Sequence, residues 1–310
     1  MNVIEAAGLG KRYRRTWAVR DCTLAIPPGR VAALVGPNGA GKTTLMHMTV
    51  GLTRPTAGSV TVLGGVPAGS AGALNRVAFV AQDAPLYRNL PVGDMVHLAR
   101  NLNGRWDQER AEARLATLKI PLSSRIGKLS GGQQAQVALT IAMARSPELL
   151  ILDEPLAALD PLARHEFLAS LMEVTAEDGL SVLFSSHVIS ELERVADYLV
   201  VLADGHVQVM GDVEDLLATH LLLIGPTAEI GELTRPLSVV HSRRAEVQAQ
   251  VLVRLPAPTG PEGAGSVPPG WRAFPVTLEE LVLAYLREPG VSALPGPVPL
   301  RAGNGGEQNQ

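Results

Sequence analysis

Short apolar runs alternate with helical stretches along the first two-thirds of the chain. Five of these runs have strand length and are rich in aliphatic side chains, namely Arg30 to Val35, Arg76 to Val80, Leu149 to Leu152, Ser181 to Ser185 and Tyr198 to Leu202. Strands that alternate with helices are typical of an α/β domain with a largely parallel sheet. The pattern therefore predicts such a domain over residues 1–219.

The strand signal disappears between Asp83 and Leu129. Two helical segments occupy this stretch, Pro91 to Leu102 and Asp107 to Leu118, and the second is rich in Arg and Glu. We interpret residues 83–145 as a helical subdomain inserted into the α/β domain.

Near Thr219 the pattern changes again. In residues 246–254 apolar side chains alternate with polar ones, as they do in a half-buried strand; the apolar positions are Val247, Ala249, Val251 and Val253. Thr277 and Glu280 form a capping-box pair ahead of apolar residues at helical spacing, which predicts an amphipathic helix from Thr277 to Glu288.

The acidic polar face of this helix favours packing against the protein over binding to a membrane surface, which selects Lys and Arg. We interpret residues 220–288 as a small accessory unit of the α+β class. Residues 289–310 are rich in Pro and Gly and predict a flexible tail.

Composition narrows the classes of function. Lys and Arg number 27 against 30 Asp and Glu, a net charge of −3, so the chain lacks the basic footprint of a nucleic-acid-binding protein. The single cysteine, Cys22, cannot form an internal disulfide, and we interpret it as a small buried hydrophobe in a reducing, cytosolic setting.

The N-terminus does not resemble a signal peptide, and no apolar window approaches the ~18 residues that span a bilayer. If a membrane is involved, another polypeptide must supply the spans.

Residues 36–43 read GPNGAGKT and fit the pattern GxxxxGK(S/T) between an apolar strand and a helical segment. In such a loop, glycines let backbone N–H groups wrap phosphates, Lys42 reaches the β- and γ-phosphates and Thr43 ligates Mg²⁺. The alternative, a glycine-rich turn that matches by chance, is made negligible by the motifs that follow. The predicted phosphate-binding residues are Gly36, Pro37, Asn38, Gly39, Ala40, Gly41, Lys42, Thr43 and Thr44.

A second apolar strand, Leu149 to Leu152, ends in the acids Asp153 and Glu154. Parallel strands bring their carboxyl ends to one edge of the sheet, beside the phosphates. Asp153 is therefore predicted in the Mg²⁺ shell, and Glu154 is predicted to polarise the water that attacks the γ-phosphate. The alternative for Glu154 is an acid at a helix start, ahead of Pro155.

Residues 129–133 read LSGGQ, in which Ser130 and Gln133 form a capping box that opens a helix through Ala144. A capped helix N-terminus without side-chain bulk is an anion site. Taken alone, the segment is equally well explained as a helix cap and nothing more.

Between the phosphate-binding loop and the acidic strand, this LSGGQ segment resembles the signature motif of ABC-type ATPases, and the resemblance covers roughly residues 3–219. It implies a P-loop NTPase fold with a RecA-like core and parallel sheet, an antiparallel β subdomain and an inserted helical subdomain. Tyr13 resembles the aromatic residue that stacks on adenine, and Gln82 the glutamine that senses Mg²⁺ and the membrane partner. Asp160, in the run Ala157 to Asp160, resembles the D-loop aspartate, and His187 the switch histidine that contacts the γ-phosphate.

The resemblance implies an ATPase that works with Mg²⁺, with Lys42, Glu154 and His187 as catalytic residues and Thr43, Gln82 and Asp153 near the metal. In this family two cassettes pair head to tail, so the signature of one copy completes the ATP site of the other. The residues expected to do so are Ser130, Gly131, Gly132 and Gln133. The complete motif set favours a homodimer over pairing with a paralogue.

Two departures from the family pattern stand out. Ala157 occupies a position where many members have Ser, and the run Gln134 to Gln136 replaces the commoner basic residues after the signature. Neither departure removes a side chain expected to contact nucleotide, so ATP hydrolysis remains the predicted activity.

A single cassette followed by a short unit with the helix Leu278 to Arg287 resembles the ATP-binding subunits of bacterial ABC-2 type exporters. Such subunits lie on the cytoplasmic face of the membrane and drive a separate multi-span permease, expected here to contact the segment Gln82 to Leu90. The alternative is a soluble ABC ATPase with a role outside transport. A further possibility, that the C-terminal unit binds a regulator and gates transport, is compatible with a role as an exporter subunit.

Overall fold

The computed structural model describes residues 1–82, 86–157, 159–231, 237–255 and 270–289. Their strands are β1 (Ile4–Tyr13), β2 (Thr16–Ile26), β3 (Val31–Val35), β4 (Ala57–Val62), β5 (Val66–Pro67), β6 (Val77–Val80), β7 (Leu149–Leu152), β8 (Ser181–Ser186), β9 (Tyr198–Ala203), β10 (His206–Asp212), β11 (His220–Pro226), β12 (Ser238–Arg244), β13 (Gln248–Arg254) and β14 (Arg272–Pro275). Their helices are α1 (Lys42–Thr49), α2 (Ala71–Leu74), α3 (Val92–Leu102), α4 (Gln108–Thr117), α5 (Gly131–Met143), α6 (Pro161–Asp178), α7 (Ile189–Leu192), α8 (Val213–Ala218) and α9 (Leu278–Arg287). Short 3₁₀ turns lie at Ile126–Lys128 and Thr227–Glu229.

The central sheet has the strand order β10-β9-β3-β8-β7-β6. Its neighbouring strands are parallel except at one edge, where β10 runs antiparallel to β9. Every residue of β3, β7, β8 and β9 is buried, which explains why these strands read as continuous apolar runs. The five predicted strands are confirmed, with ends displaced by no more than one residue. The carboxyl ends of β3, β7 and β8 meet at one edge and carry the candidate site.

A second, antiparallel sheet has the order β2-β1-β4-β5. Its inner face shares one hydrophobic core with the central sheet and α1, in which Leu9, Ile26, Leu34 and Met46 are packed together. The α/β fold with an antiparallel β subdomain is therefore confirmed. Cys22 is fully buried in this core, as expected, and burial raises the pKa of its thiol to about 12.

The inserted segment is helical, as predicted. Its helices α3 and α4 begin at Val92 and Gln108 and pack with α5 around a core of their own. Asp107 caps α4, because its carboxylate accepts the N–H of Arg110 at 2.9 Å. Asp83, with which the predicted subdomain begins, lies outside the described residues.

The C-terminal residues form an antiparallel sheet of order β12-β13-β11-β14 and the helix α9. The prediction that a strand begins near Glu246 was wrong by two residues, since β13 starts at Gln248. Val247 lies in the turn before it, where the N–H of Ala245 donates to the carbonyl of Gln248, and it is 82% exposed. The predicted helix is confirmed as α9, and Thr277 and Glu280 form its capping box.

Helix α9 packs more widely than its pattern predicts. It contacts β12 of its own unit and also β9, β10, α7 and α8. Leu281 and Tyr285 are buried in the same core as Leu199 and Val201 of the central sheet. The accessory unit therefore extends the core of the α/β domain. Within the described ranges, no helix combines the length and apolar character that crossing a bilayer requires.

Candidate active site

The phosphate-binding loop runs from the end of β3 to the start of α1 and closes tightly on its neighbours. A Cβ on Gly36 would lie 2.2 Å from the carbonyl oxygen of Leu202. Gly41 caps α1 with φ 104°, and a Cβ there would lie 2.3 Å from the carbonyl oxygen of Ala18. Both positions therefore require glycine.

Lys42 begins α1 and is 5% exposed. Its Nζ donates to the carbonyl oxygens of Gly36 at 2.8 Å and Pro37 at 3.3 Å. The loop thus holds the ammonium group along its own backbone, inside the turn that the sequence predicts for phosphates.

Glu154 follows β7 and places its carboxylate between two cationic or polar groups. Its Oε1 lies 3.3 Å from Nζ of Lys42, and its Oε2 lies 3.2 Å from Nδ1 of His187. The backbone of Glu154 is left-handed, with φ 44°, which is uncommon for a residue other than glycine. All three predicted catalytic side chains therefore meet at the Glu154 carboxylate.

Asp153 is 2% exposed at the end of β7. Its Oδ1 accepts a hydrogen bond from the hydroxyl of Ser185 at 2.8 Å. The same hydroxyl accepts the backbone N–H of Glu154 at 2.8 Å. The sequence analysis gave Ser185 only as the last residue of a predicted strand, although a polar residue at the end of a buried strand was an available signal for a functional role.

A cavity of about 500 Å³ opens beside the loop. It brings together eight of the sixteen nucleotide-contacting residues that the sequence predicts, and it adds Ala18, which the sequence analysis missed. Its lining consists of Tyr13, Ala18, Asn38, Gly39, Gly41, Lys42, Thr43, Thr44, Gln82 and Glu154. Tyr13 is 48% exposed, with Nζ of Lys11 5.3 Å from the centre of its ring.

The signature segment is built as a helix cap. The Ser130 hydroxyl accepts the N–H of Gln133 at 3.2 Å, and the Gln133 side chain accepts the N–H of Ser130 at 3.1 Å. Gly132 fits closely against α6, where a Cβ would lie 2.7 Å from Cβ of Ala163. The described residues that line the cavity do not include this segment.

Asp160 caps α6, since its carboxylate accepts the N–H of Ala163 at 2.9 Å. Like the signature segment, it is absent from the described lining of the cavity. Ala158 in the same run lies outside the described residues, as do Asp83 and Pro85 in the expected permease contact. Tyr87 in that contact is 63% exposed.

The predicted metal ligands are oxygen donors. Thr43 and Gln82 line the cavity, and Asp153 precedes Glu154, which lines it too. Hydroxyl, amide and carboxylate oxygens suit Mg²⁺, which keeps several of its own waters and needs few protein ligands. Within the part of the chain described, no three His, Cys, Asp or Glu side chains cluster for a metal.

Three comparisons place the chain among known proteins. A family model described as "ABC transporter" matches residues 19–157. The chain is 35% identical over 254 residues to "Fe(3+) ions import ATP-binding protein FbpC 2" of Rhodococcus jostii, covering 78% of this chain and 70% of the relative. It is 33% identical over 207 residues to "Bacitracin transport ATP-binding protein BcrA" of Enterococcus faecalis, covering 66% of this chain and 67% of the relative. It is 32% identical over 265 residues to "Nod factor export ATP-binding protein I" of Rhizobium leguminosarum bv. viciae, covering 80% of this chain and 82% of the relative.

Solved structures agree with the fold. One titled "Structure of ATP binding subunit of ABC transporter" is 29% identical, with a TM-score of 0.61, and covers 68% of this chain and 90% of its own. A dimeric post-hydrolysis state of the ATP-binding cassette MJ0796 bound to ADP and Pi is 25% identical, with a TM-score of 0.60. The match covers 68% of this chain and 98% of that chain. The relatives include proteins named for import and for export. The chain therefore belongs to the ATP-binding subunits of ABC transporters and is an ATPase.

Proposed function

We propose that the cavity beside the phosphate-binding loop binds ATP and that Glu154 activates the water that attacks the γ-phosphate. The observation that carries this proposal is the position of the Glu154 carboxylate, 3.3 Å from Nζ of Lys42 and 3.2 Å from Nδ1 of His187. A general base must lie within reach of both the nucleophile and the reacting group. Lys42 marks where the phosphates bind, so a base that contacts it lies beside the reacting phosphorus.

The proposal assigns a chemical role to several residues in and beside the cavity. Backbone N–H groups of the glycine-rich loop and the N-terminus of α1 hold the phosphate oxygens. The ring of Tyr13 stacks on adenine, and His187 donates to the γ-phosphate. Lys42 neutralises charge on the β- and γ-phosphates as it spreads in the transition state.

Thr43, Gln82 and Asp153 would hold Mg²⁺. When bound, the ion would supply positive charge that offsets the negative charge developing on the phosphate oxygens. The hydrogen bond from Ser185 holds the Asp153 carboxylate in a fixed orientation for this task.

We further propose that the chain works as a head-to-tail homodimer. The separation of the signature segment from the cavity lining supports this arrangement, because Ser130, Gly131, Gly132 and Gln133 then remain available to a second copy. Asp160 caps α6, the helix whose Ala163 lies against Gly132, and it belongs to the same proposed interface. The dimeric form of the MJ0796 cassette, a structural neighbour, supports it as well.

We propose export as the direction of transport, through a separate permease that docks near Gln82 to Leu90 on the cytoplasmic face of the membrane. The relative named for Nod factor export supports this choice. Exposure of Tyr87 leaves an aromatic side chain available to the permease. ATP binding closes the dimer, and hydrolysis reopens it, because the nucleotide binds the closed state more tightly.

The test is affinity purification of the Glu154→Gln protein from native membranes with Mg-ATP, followed by mass spectrometry. We expect one polytopic permease in near-equal amount and no extracellular solute-binding protein. Recovery of a solute-binding protein would contradict export and indicate import. Recovery of ribosomal, DNA-repair or assembly proteins without a permease would contradict the transport role.

A further inference from the structure

Ser185 occupies the point where three strands of the central sheet converge on the candidate site. It is the next-to-last residue of β8, which lies between β3 and β7, and it is 0% exposed. Leu34 of β3 is its partner on one side, and the pairing of Leu152 with Phe184 places Asp153 next to it on the other. A hydroxyl in such a position is costly unless it is fully hydrogen-bonded.

The hydroxyl acts as a hydrogen-bond donor to one of the two acids and as an acceptor from the other. Its proton is donated to Oδ1 of Asp153 at 2.8 Å, and its oxygen accepts the backbone N–H of Glu154 at 2.8 Å. The hydrogen bonds therefore run in one direction, from the Glu154 amide through Ser185 to the Asp153 carboxylate. One side chain thereby sets the orientation of one acid and the backbone of the other.

The backbone held in this way is an unusual one. Glu154 has φ 44°, a left-handed conformation that non-glycine residues adopt only where the surroundings maintain it. From this backbone position the Glu154 carboxylate contacts both Lys42 and His187. The Ser185 hydroxyl thus stabilises the backbone of Glu154, the residue whose carboxylate is the proposed base.

We propose that Ser185 is a positioning residue for ATP hydrolysis, which fixes the Asp153 carboxylate and the Glu154 turn relative to each other. It does not touch the nucleotide and acts through the two acids. This inference rests on the proposed catalytic role of Glu154. It predicts an effect on turnover, because a base displaced by about 1 Å slows a reaction on the order of 100-fold without changing how tightly the substrate binds.

The chain offers a matched control on the same strand. Ser181 begins β8, is 3% exposed, and accepts the N–H of Gly29 at 2.8 Å. Ser181→Ala removes an equally buried hydroxyl from the opposite end of the strand, away from both acids. A loss that arises only from a weakened strand will appear in both variants.

The experiment compares Ser185→Ala, Ser185→Thr and Ser181→Ala with the unaltered chain. Three quantities are measured: kcat and KM for ATP, the Kd of a fluorescent ATP analogue, and the temperature of thermal unfolding. We expect Ser185→Ala to lower kcat roughly 10- to 100-fold, with KM and Kd within about twofold and a melting temperature close to that of Ser181→Ala. Thr keeps the hydroxyl, so Ser185→Thr should recover most of the lost kcat.

Two results would overturn the proposal. The first is a kcat for Ser185→Ala no lower than that of Ser181→Ala. The second is a loss of kcat accompanied by an equal loss of nucleotide affinity, which indicates a structural defect. A Glu154→Gln variant measured alongside separates this proposal from the one on which it rests. If that variant is inactive while Ser185→Ala is not, only the positioning role fails; if Glu154→Gln turns over normally, the role of Glu154 fails.

Discussion

Nε2 of His220 lies 2.9 Å from the hydroxyl of Tyr285, although the two residues are 65 positions apart in the chain. Nδ1 of His220 lies 2.6 Å from the carbonyl oxygen of Leu216, which can only accept, so Nδ1 carries the proton and Nε2 accepts from Tyr285. Arg254 is hydrogen-bonded to Tyr285 in turn. This buried network connects α8, β11, β13 and α9, and it joins the accessory unit to the α/β domain.

Acid should destabilise the fold through His220. Burial lowers the pKa of its imidazole to about 4, from 6.5 in an unfolded chain. Between these two values the unfolded chain binds a proton that the folded chain does not, so the free energy of unfolding falls as the pH decreases. The contribution is complete above pH 6.5 and is lost progressively toward pH 4, with a total on the order of 3 kcal/mol. Chemical denaturation measures the free energy of unfolding at pH 7.5 and at pH 4.5. The decrease between these two pH values should be smaller for His220→Gln than for the unaltered chain, and an equal decrease would contradict this account.

Tyr285→Phe should lower the free energy of unfolding by about 1–3 kcal/mol, because it leaves the buried Nε2 of His220 without its donor. Tyr87→Phe is the control, since Tyr87 is 63% exposed and the same change there should cost under about 0.5 kcal/mol. Urea denaturation followed by circular dichroism measures both. Equal stability of the two variants would show that the His220 network contributes nothing.

Leu281→Ala tests whether α9 belongs to the main core. Leu281 is 0% exposed among residues of the central sheet, so its truncation should cost roughly 2–5 kcal/mol and lower the melting temperature of the whole chain. Leu102→Ala, at a position that is 75% exposed, is the matched control. If the accessory unit unfolded separately while the rest of the chain kept its melting temperature, the shared core would be refuted.

Tyr13→Ala should weaken ATP binding, because stacking between a base and an aromatic ring contributes about 1–3 kcal/mol, or roughly 5- to 150-fold in Kd. Tyr13→Phe keeps the ring and should bind within about twofold of the unaltered chain. Isothermal titration with a slowly hydrolysed ATP analogue compares the three proteins. An Ala variant that binds as well as the Phe variant would exclude adenine stacking at this residue.

Local sequence patterns predicted the elements of this fold better than the contacts between them. The strands β3, β7, β8 and β9 are buried on both faces and therefore read as apolar runs. The caps at Ser130 and Thr277 follow from residue type and spacing. Strand β10 was missed, because an edge strand that is only partly buried lacks such a run. Val247 fits the alternating pattern yet lies in a turn, which period-two spacing alone cannot distinguish from a strand.

The candidate site shows the same limit. Its motifs are local and were recognised with their residue numbers, and the cavity joins most of them. The role of Ser185 depends on β7 and β8 being neighbours, which the sequence does not reveal because Glu154 and Ser185 are 31 positions apart. The packing of α9 on the central sheet likewise depends on partners far away in the sequence.

The most direct test of the central claim is the rate at which the Glu154→Gln variant hydrolyses ATP. The amide keeps the shape of the side chain but cannot accept a proton from water, so kcat should fall by at least about 100-fold, while the Kd for ATP stays within about threefold. The variant should also accumulate as a dimer in Mg-ATP on size-exclusion chromatography. Steady-state hydrolysis at the rate of the unaltered chain would contradict the assignment of Glu154 as the general base.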